Sequence, residues 1–157
     1  MMTAGACASP DSDPNTRPLT WSLCTVQPHG ISLADNVIKE SEEEAGIPAH
    51  LAAQARPAGA VSYTSKGPGG VGIKQDVLFV FDLDLPSTFV PKPVDGEVDM
   101  FELMPVDSVL EIVARTNEYK DNCNLVLIDF FMRHGYISAD TPGYLALLRD
   151  LRSGNCL

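Results

Sequence analysis

Residues 31–48 read ISLADNVIKESEEEAGIP and carry the strongest local signal in the 157-residue chain. Ser32 followed by Asp35 resembles a helix capping box, and Gly46 with Pro48 behind it predicts the end of the same helix. Between these ends, apolar or small residues recur on one side at about 100° per residue. The stretch therefore predicts an amphipathic helix with one face in the core.

The acidic half of this helix distributes its carboxylates unevenly around the axis. With Glu40 as the origin, Glu44 lies about 40° to one side and Glu43 about 60° to the other, while Glu42 points about 160° away. Three carboxylates are therefore predicted to share a face, where they repel one another unless a cation neutralises them. A hard divalent cation such as Mg²⁺ prefers such oxygen ligands. From spacing alone, a metal site and a solvated acidic face are both open interpretations.

The rest of the chain combines strands and helices. Residues 1–19 lack periodicity and are rich in Ala, Ser, Pro, Asp and Thr, so they are expected to be a disordered tail. The patterns predict strands at 19–27, 58–65, 73–85 and 99–106, and helices at 50–56, 107–116, 124–135 and 141–154. The strand at 73–85 is apolar on both sides, which predicts a central position in its sheet. This order of elements favours an α/β or α+β layered domain over residues 20–157.

The composition excludes several classes of partner. The chain is 45% hydrophobic and 20% charged, which is typical of a globular domain. Its formal net charge of −10 argues against a nucleic-acid backbone or an anionic membrane as partner. No apolar stretch approaches the roughly 20 residues of a membrane span. Because the N-terminus has no apolar signal region, the expected compartment is the cytoplasm, or an organelle if a native N-terminal segment is missing.

The order K-E-S-E-E-E-A-G-I, which begins at Lys39, resembles the end of the Nudix box, G-(5)-E-(7)-R-E-U-x-E-E-x-G-U, where U is a bulky aliphatic residue. In that register Lys39 stands at the Arg, Glu40 at the Glu beside it, and Glu43 and Glu44 at the paired Glu. NVIKESEEEAGIP looks still more like the box of the thiamine pyrophosphokinase-related branch, which often carries Lys in place of Arg. Downstream blocks from GAVSY through KQDVLFVFDLDLP to GYLALLRDLRSG look like the same branch in the same order. The resemblance covers residues 26–156.

The resemblance implies a fold and a chemistry. The fold would be a Nudix-type α/β/α sandwich with a mixed β-sheet. The chemistry would be hydrolysis of a diphosphate in a small phosphorylated substrate, with Mg²⁺ or Mn²⁺ as the cofactor. Glu40, Glu43 and Glu44 would bind the cation, and one of them would orient or deprotonate the attacking water. Lys39 would orient the neighbouring glutamates, although an ordinary solvent-facing ion pair is an equal alternative for it.

A further acidic ligand usually comes from a loop beyond the box in this family. The segment DGEVD offers Glu97, with Asp95 and Asp99 as rivals.

The thiamine-related branch is associated with hydrolysis of thiamine diphosphate and its oxidised analogues to the monophosphate. Two other functions stay open, a catalytically impaired Nudix-like binding module and a pyrophosphatase for nucleotide diphosphates such as ADP-ribose. The aromatic residues that could line a substrate pocket, or simply pack in the core, are Tyr63, Phe79, Phe81 and Phe101.

The front of the box departs from the family pattern. In register, its first Glu falls on Ile31 and its leading Gly falls on Thr25, after Cys24. In the family that Gly-rich turn contributes a backbone carbonyl to the metal, and residues with a Cβ disfavour the positive φ that such a turn needs. Few residues precede the box, so the chain is expected to be an N-terminally truncated family member with a sheet that is incomplete on that side.

Overall fold

In the computed structural model of the protein, the described residues are 19–25 as backbone only, and 29–67, 69, 71–96 and 99–154. They form three strands and five helices. In chain order these are β1 (Leu19–Thr25), α1 (Leu33–Ala45), α2 (Ala49–Ala52), β2 (Arg56–Lys66), β3 (Ile73–Leu85), α3 (Val106–Arg115), α4 (Asp121–Arg133) and α5 (Tyr144–Asp150). The predicted tail lies outside the described residues except for Leu19, which begins β1.

The three described strands form one sheet in the order β1-β3-β2. β3 pairs antiparallel with β1 from Leu19↔Leu85 to Thr25↔Phe79, and antiparallel with β2 from Arg56 to Lys66. The central position predicted for 73–85 is confirmed with the same bounds. Since both pairings are antiparallel, the mixed sheet that the resemblance implies is not present among the described strands.

β3 divides the core because alternate side chains of a strand point to opposite faces. One face packs against α1 and α2, in a buried cluster of Val37, Ala45, Ile47, Ala52, Phe81, Leu83 and Leu85. The other face packs against α4, in a cluster of Val61, Leu78, Val80, Val126, Met132 and Leu151. A third cluster, with Phe130 and Phe131 at its centre, joins α3 to α4. The sheet thus has helices on both sides, in agreement with an α/β architecture, and no described helix is long and apolar enough to cross a membrane.

Several predicted elements need correction. Residues 99–105 form an irregular segment and not the predicted strand: Met100 and Leu103 are exposed, and only Phe101 between them packs against the core beneath α1. The apolar alternation there reflects contact on one side without a pairing partner. α5 spans only Tyr144–Asp150 and not the predicted 141–154, and its later start follows from Gly143, whose φ of 86° is not helical. α2 ends at Ala52, short of the predicted 50–56, since β2 already begins at Arg56.

Candidate functional site

The acidic helix α1 is fixed at both ends as its sequence predicts. Ser32 Oγ accepts a hydrogen bond from the Asp35 backbone N–H at 3.1 Å and donates to Asp35 Oδ2 at 2.6 Å. At the other end Gly46 has left-handed geometry (φ 63°, ψ 26°), and its N–H donates to the Glu42 carbonyl at 3.1 Å. These caps satisfy backbone groups that a helix end leaves unpaired. The glutamates therefore lie on a helix with well-defined ends.

The four glutamates of α1 stand at different depths. Glu44 is 2% exposed, on the side of the helix that packs against the sheet. The Glu40 side chain is 24% exposed and the Glu43 side chain 52%. Glu42 is exposed, in keeping with the outward direction predicted for it. Helical spacing alone does not distinguish the three carboxylates on this face, but their exposure differs, from the buried Glu44 to the half-exposed Glu43.

Lys39 lies between two of the predicted metal ligands. Its Nζ is 2.6 Å from Glu43 Oε2 and 3.4 Å from Glu40 Oε1. The hydrogen bond to Glu43 raises the pKa of Lys39, so the side chain is a cation at neutral pH. Among the residues that the structure describes, no group of three or more His, Cys, Asp or Glu is arranged to hold a metal ion. The positive charge at these carboxylates is the Lys39 ammonium.

The loop that carries DGEVD approaches the end of α1. The Lys92 backbone N–H donates to the Ala45 carbonyl at 3.1 Å. A Cβ placed on Gly46 would lie 3.4 Å from Val94 Cγ2. The loop therefore runs beside the C-terminal end of the acidic helix shortly before Asp95. Glu97, the further ligand predicted from this segment, lies outside the described residues, and its rivals Asp95 and Asp99 are exposed.

The two residues that stand at the Gly-rich turn of the box belong to β1. Cys24 pairs with Val80 and Thr25 pairs with Phe79, so the backbone at this point is extended. All described residues with positive φ are glycines. Ile31, at the position of the first box Glu, is 37% exposed. Within the described backbone, a strand occupies the positions where the box pattern has its turn.

The aromatic residues proposed as pocket walls are packed in the cores. Phe79, Phe81 and Phe101 contact the cluster beneath α1, whereas Tyr63 packs against the cluster on the other face. Phe81 also borders a small apolar cavity of about 110 Å³ beside α1. Tyr63 lines an open polar groove of about 610 Å³ whose lining residues come from β2, β3, the α3–α4 connection and the start of α4, with none from α1.

A buried ionic cluster, which the sequence does not predict, lies on the opposite face of the sheet. Asp82 of β3 is 7% exposed and Asp129 of α4 is 1% exposed. Arg133 donates to both carboxylates, at 2.5 Å and 3.1 Å to Asp82 and at 2.7 Å to Asp129. Arg152 donates to the other oxygen of Asp129 at 2.7 Å. The cluster connects the central strand β3, α4 and the segment after α5. In the sequence it is indicated only by Asp82 and Asp129, each of which is an acidic residue inside an apolar run.

His134 belongs to the same cluster. It is the C-cap residue of α4, and its side chain points to β3. Its Nε2 lies 3.1 Å from Asp82 Oδ2, and its ring stacks on Phe130 with centroids 4.2 Å apart. Burial raises the pKa of Asp82, but hydrogen bonds from His134 and Arg133 and the charge of Arg133 outweigh burial and hold that pKa at about 2. Asp82 is therefore a permanent anion at neutral pH.

Comparison with known proteins gives three relatives, and no protein-family model matches the chain. The chain is 51% identical over 129 residues to Nudix hydrolase 24, chloroplastic, of Arabidopsis thaliana, and 49% identical over 129 residues to Nudix hydrolase 20, chloroplastic, of the same plant. Both alignments cover 82% of this chain but only 35% and 34% of the relatives. It is also 36% identical over 132 residues to an uncharacterized protein of Saccharomyces cerevisiae, covering 77% of this chain and 38% of that protein. The chain thus spans about a third of the length of the curated relatives it matches.

Proposed function

We propose that this chain is a hydrolytic unit of the Nudix type, the family that its identity to two Arabidopsis Nudix hydrolases supports. The observation that carries the proposal is the 51% identity over 129 residues, most of the chain, to a protein named as a Nudix hydrolase. The reaction would be hydrolysis of a diphosphate in a small phosphorylated molecule. The acidic helix α1 would supply the site.

The donor set of α1 fits Mg²⁺ or Mn²⁺ in its chemistry. Three carboxylates within one and a half helical turns offer oxygen ligands, which hard divalent cations prefer. Glu40, Glu43 and Glu44 would hold the cation, with Glu97 of the DGEVD segment as a further ligand. When bound, the cation would neutralise the substrate phosphates and the charge that develops as the bond breaks.

The glutamates would have different roles in metal binding and water activation, because their side chains differ in exposure. Glu44, at 2% exposed, is held by the packing around it and would act as a fixed ligand. Glu43, with a side chain 52% exposed, has the best access to solvent and to a substrate. We assign to Glu43 the task of orienting or deprotonating the attacking water. Lys39, which already contacts Glu43, would orient its carboxylate.

Thiamine diphosphate or an oxidised analogue is the substrate we propose, with the monophosphate as product. The support is the likeness of NVIKESEEEAGIP and of the later sequence blocks to the thiamine-related branch. ADP-ribose represents the alternative class of nucleotide diphosphates. Since two relatives carry the word chloroplastic in their names, an organelle is the compartment we propose alongside the cytoplasm.

A second function is favoured by two specific observations. The described residues contain no ready group of three metal ligands, and a strand replaces the turn at Cys24 and Thr25. Both features suit a Nudix-like binding module that recognises a phosphorylated molecule without cleaving it. The two functions differ in turnover and not in fold, so an assay of product formation separates them.

The test is a hydrolysis assay with matched variants of one helix. The purified chain is incubated with Mg²⁺ and, in separate reactions, oxidised thiamine diphosphate, thiamine diphosphate or ADP-ribose, and products are separated by chromatography. Glu43→Gln and Glu44→Gln are expected to lower turnover roughly 100-fold or more, while Glu42→Gln on the outward face leaves it unchanged. Far-UV circular dichroism checks that each variant is folded. Substrate binding without turnover would support the binding module, and turnover indifferent to Glu43 and Glu44 would contradict the site.

A further inference from the structure

An apolar cavity of about 280 Å³, partly open to the surface, lies between α3, α4 and α5. Its walls include Val113 of α3, Phe131 of α4 and Leu147 of α5. Apart from Thr141, the described residues that line the cavity have hydrocarbon side chains. An apolar cavity of about 150 Å³ already admits a benzene molecule. The cavity is therefore large enough to receive the side chain of a leucine.

Helix α5 exposes two leucines next to this cavity. Leu145 is 78% exposed and Leu148 is 41% exposed, and residues three apart share a face of a helix. Leu147 packs inward, against the core between the sheet and α4. Because two residues turn a helix by about 200°, Leu145 points away from the cavity that Leu147 lines. The exposed leucines, the cavity and the exposed residues of α3 beside it form the α3–α5 surface.

The charges of α3 and α5 are nearly balanced, although the whole chain has a formal net charge of −10. On α5, Arg149 pairs with Asp150 at 2.8 Å, and on α3, Arg115 pairs with Glu111 at 3.2 Å. Asp107 is the remaining charged residue of α3. The acidic helix α1 packs on the opposite face of the sheet. Contact between two copies through the α3–α5 surface would therefore keep their acidic helices apart.

From these features we propose that the α3–α5 surface binds a second copy of this chain, with Leu145 of each copy in the cavity of the other. A two-fold interface must be self-complementary, so that a residue of one copy meets its counterpart's partner and the reverse. A protruding leucine beside a leucine-sized cavity meets this requirement. The paired charges of both signs add little repulsion between identical surfaces. Since two leucines make a small contact, the dimer is weak and depends on concentration.

Sedimentation velocity of the full chain, at concentrations from about 1 μM to about 1 mM, measures this association. We expect the wild type to pass from a monomer of 16.9 kDa to a dimer of twice that mass. Leu145→Ala should weaken the dimer about 100-fold, because each dimer loses two buried leucine side chains. Ala114→Leu enlarges an exposed residue of the cavity wall and should weaken it similarly by blocking entry. Leu103→Ala is the matched control, at a leucine 61% exposed in the irregular segment 99–105, and should dimerise like the wild type.

A mixture of Leu145→Ala and Ala114→Leu tests the exchange itself. The first variant keeps the cavity and the second keeps the protruding leucine, so a heterodimer has one intact contact and each homodimer has none. The mixture should therefore associate more strongly than either variant by itself. At about 1 μM, where the monomer prevails, all variants should melt like the wild type, which separates association from folding.

Two results would overturn the proposal. One is a dimer that both Leu145→Ala and Ala114→Leu leave intact, because the contact would then lie elsewhere. The other is a wild type that stays monomeric at about 1 mM. In that case, saturable binding of benzene, followed by nuclear magnetic resonance, would assign the cavity to a small apolar ligand instead.

Discussion

Replacing Asp82 by Asn tests the buried ionic cluster with the smallest change of shape. Asn keeps the volume of the side chain but removes the charge that holds Arg133 and His134. Arg133 keeps its second partner Asp129, so the guanidinium is not left without a counter-charge. Breaking a buried ion pair by removing one partner typically costs about 3–5 kcal/mol. Because of that second partner, we expect a loss of about 3 kcal/mol in the free energy of unfolding at pH 7.

The contribution of Asp82 to the free energy of unfolding should depend on pH, because the pKa of Asp82 is lower in the folded protein. The pKa falls from its ordinary value of 3.8 to about 2 in the folded protein. One pKa unit corresponds to about 1.4 kcal/mol, so the ionised carboxylate stabilises the folded state by about 2–3 kcal/mol. A depressed pKa means that this stability is complete above pH 4–5 and is lost as the pH falls through about 2. Asn cannot titrate, so the difference between wild type and Asp82→Asn should shrink over that window.

The assay is urea unfolding followed by far-UV circular dichroism, at several values of pH from 7 to 2.5. The difference in unfolding free energy between the two proteins isolates Asp82, because every other carboxylate is common to both. Asp150→Asn is the control: its partner Arg149 and its own side chain are both largely exposed, and such pairs contribute about 0–1 kcal/mol. A difference below 1 kcal/mol at pH 7, or one that stays constant down to pH 2.5, would refute the reasoning.

Three further predictions concern stability and are measured by thermal melting. Ser32→Ala removes the N-cap of α1 and should cost about 1 kcal/mol, a fall of about 2–4 °C, whereas Ser32→Asp should keep the cap; equal melting of both variants would contradict this role. Gly46→Ala places a Cβ on a left-handed residue and should cost about 1–2 kcal/mol, and an unchanged melting temperature would show that the turn relaxes freely. Phe131→Ala opens a cavity at a 0% exposed position and should cost about 3–5 kcal/mol, against less than 0.5 kcal/mol for Leu145→Ala at a 78% exposed position, so similar losses would mean that the packing is wrong.

Local signals explain why α1 and β3 could be predicted from the sequence. Ser32 and Gly46 act on backbone groups within their own turn, so their effect is independent of the rest of the fold. β3 carries enough apolar residues on both sides to require burial on both faces wherever it lies. The relative directions of the glutamates follow in the same way from helix geometry alone.

Features that depend on contacts distant in sequence could not be predicted. A helical wheel gives the direction of Glu44 but not its depth, which depends on how α1 lies against the sheet. The pairing of Asp82 with Arg133 joins residues 51 positions apart, and neither sequence context indicates the other. The predicted strand at 99–106 failed for a related reason, because alternation fixes a strand only where a neighbouring strand is available to pair.

The alternation of side chains between the two faces of β3 has a consequence for how the chain folds. If β3 slipped by one residue against its neighbours, Asp82 would enter the apolar cluster beneath α1 and Phe81 would face Arg133. An unpaired carboxylate in such surroundings costs several kcal/mol, and the arginine would lose its counter-charge at the same time. Misaligned intermediates are thereby penalised twice, while the native alignment alone satisfies both faces. We therefore expect the buried ion pair to favour the native strand alignment during folding, a preference that a wholly apolar strand with interchangeable faces would lack.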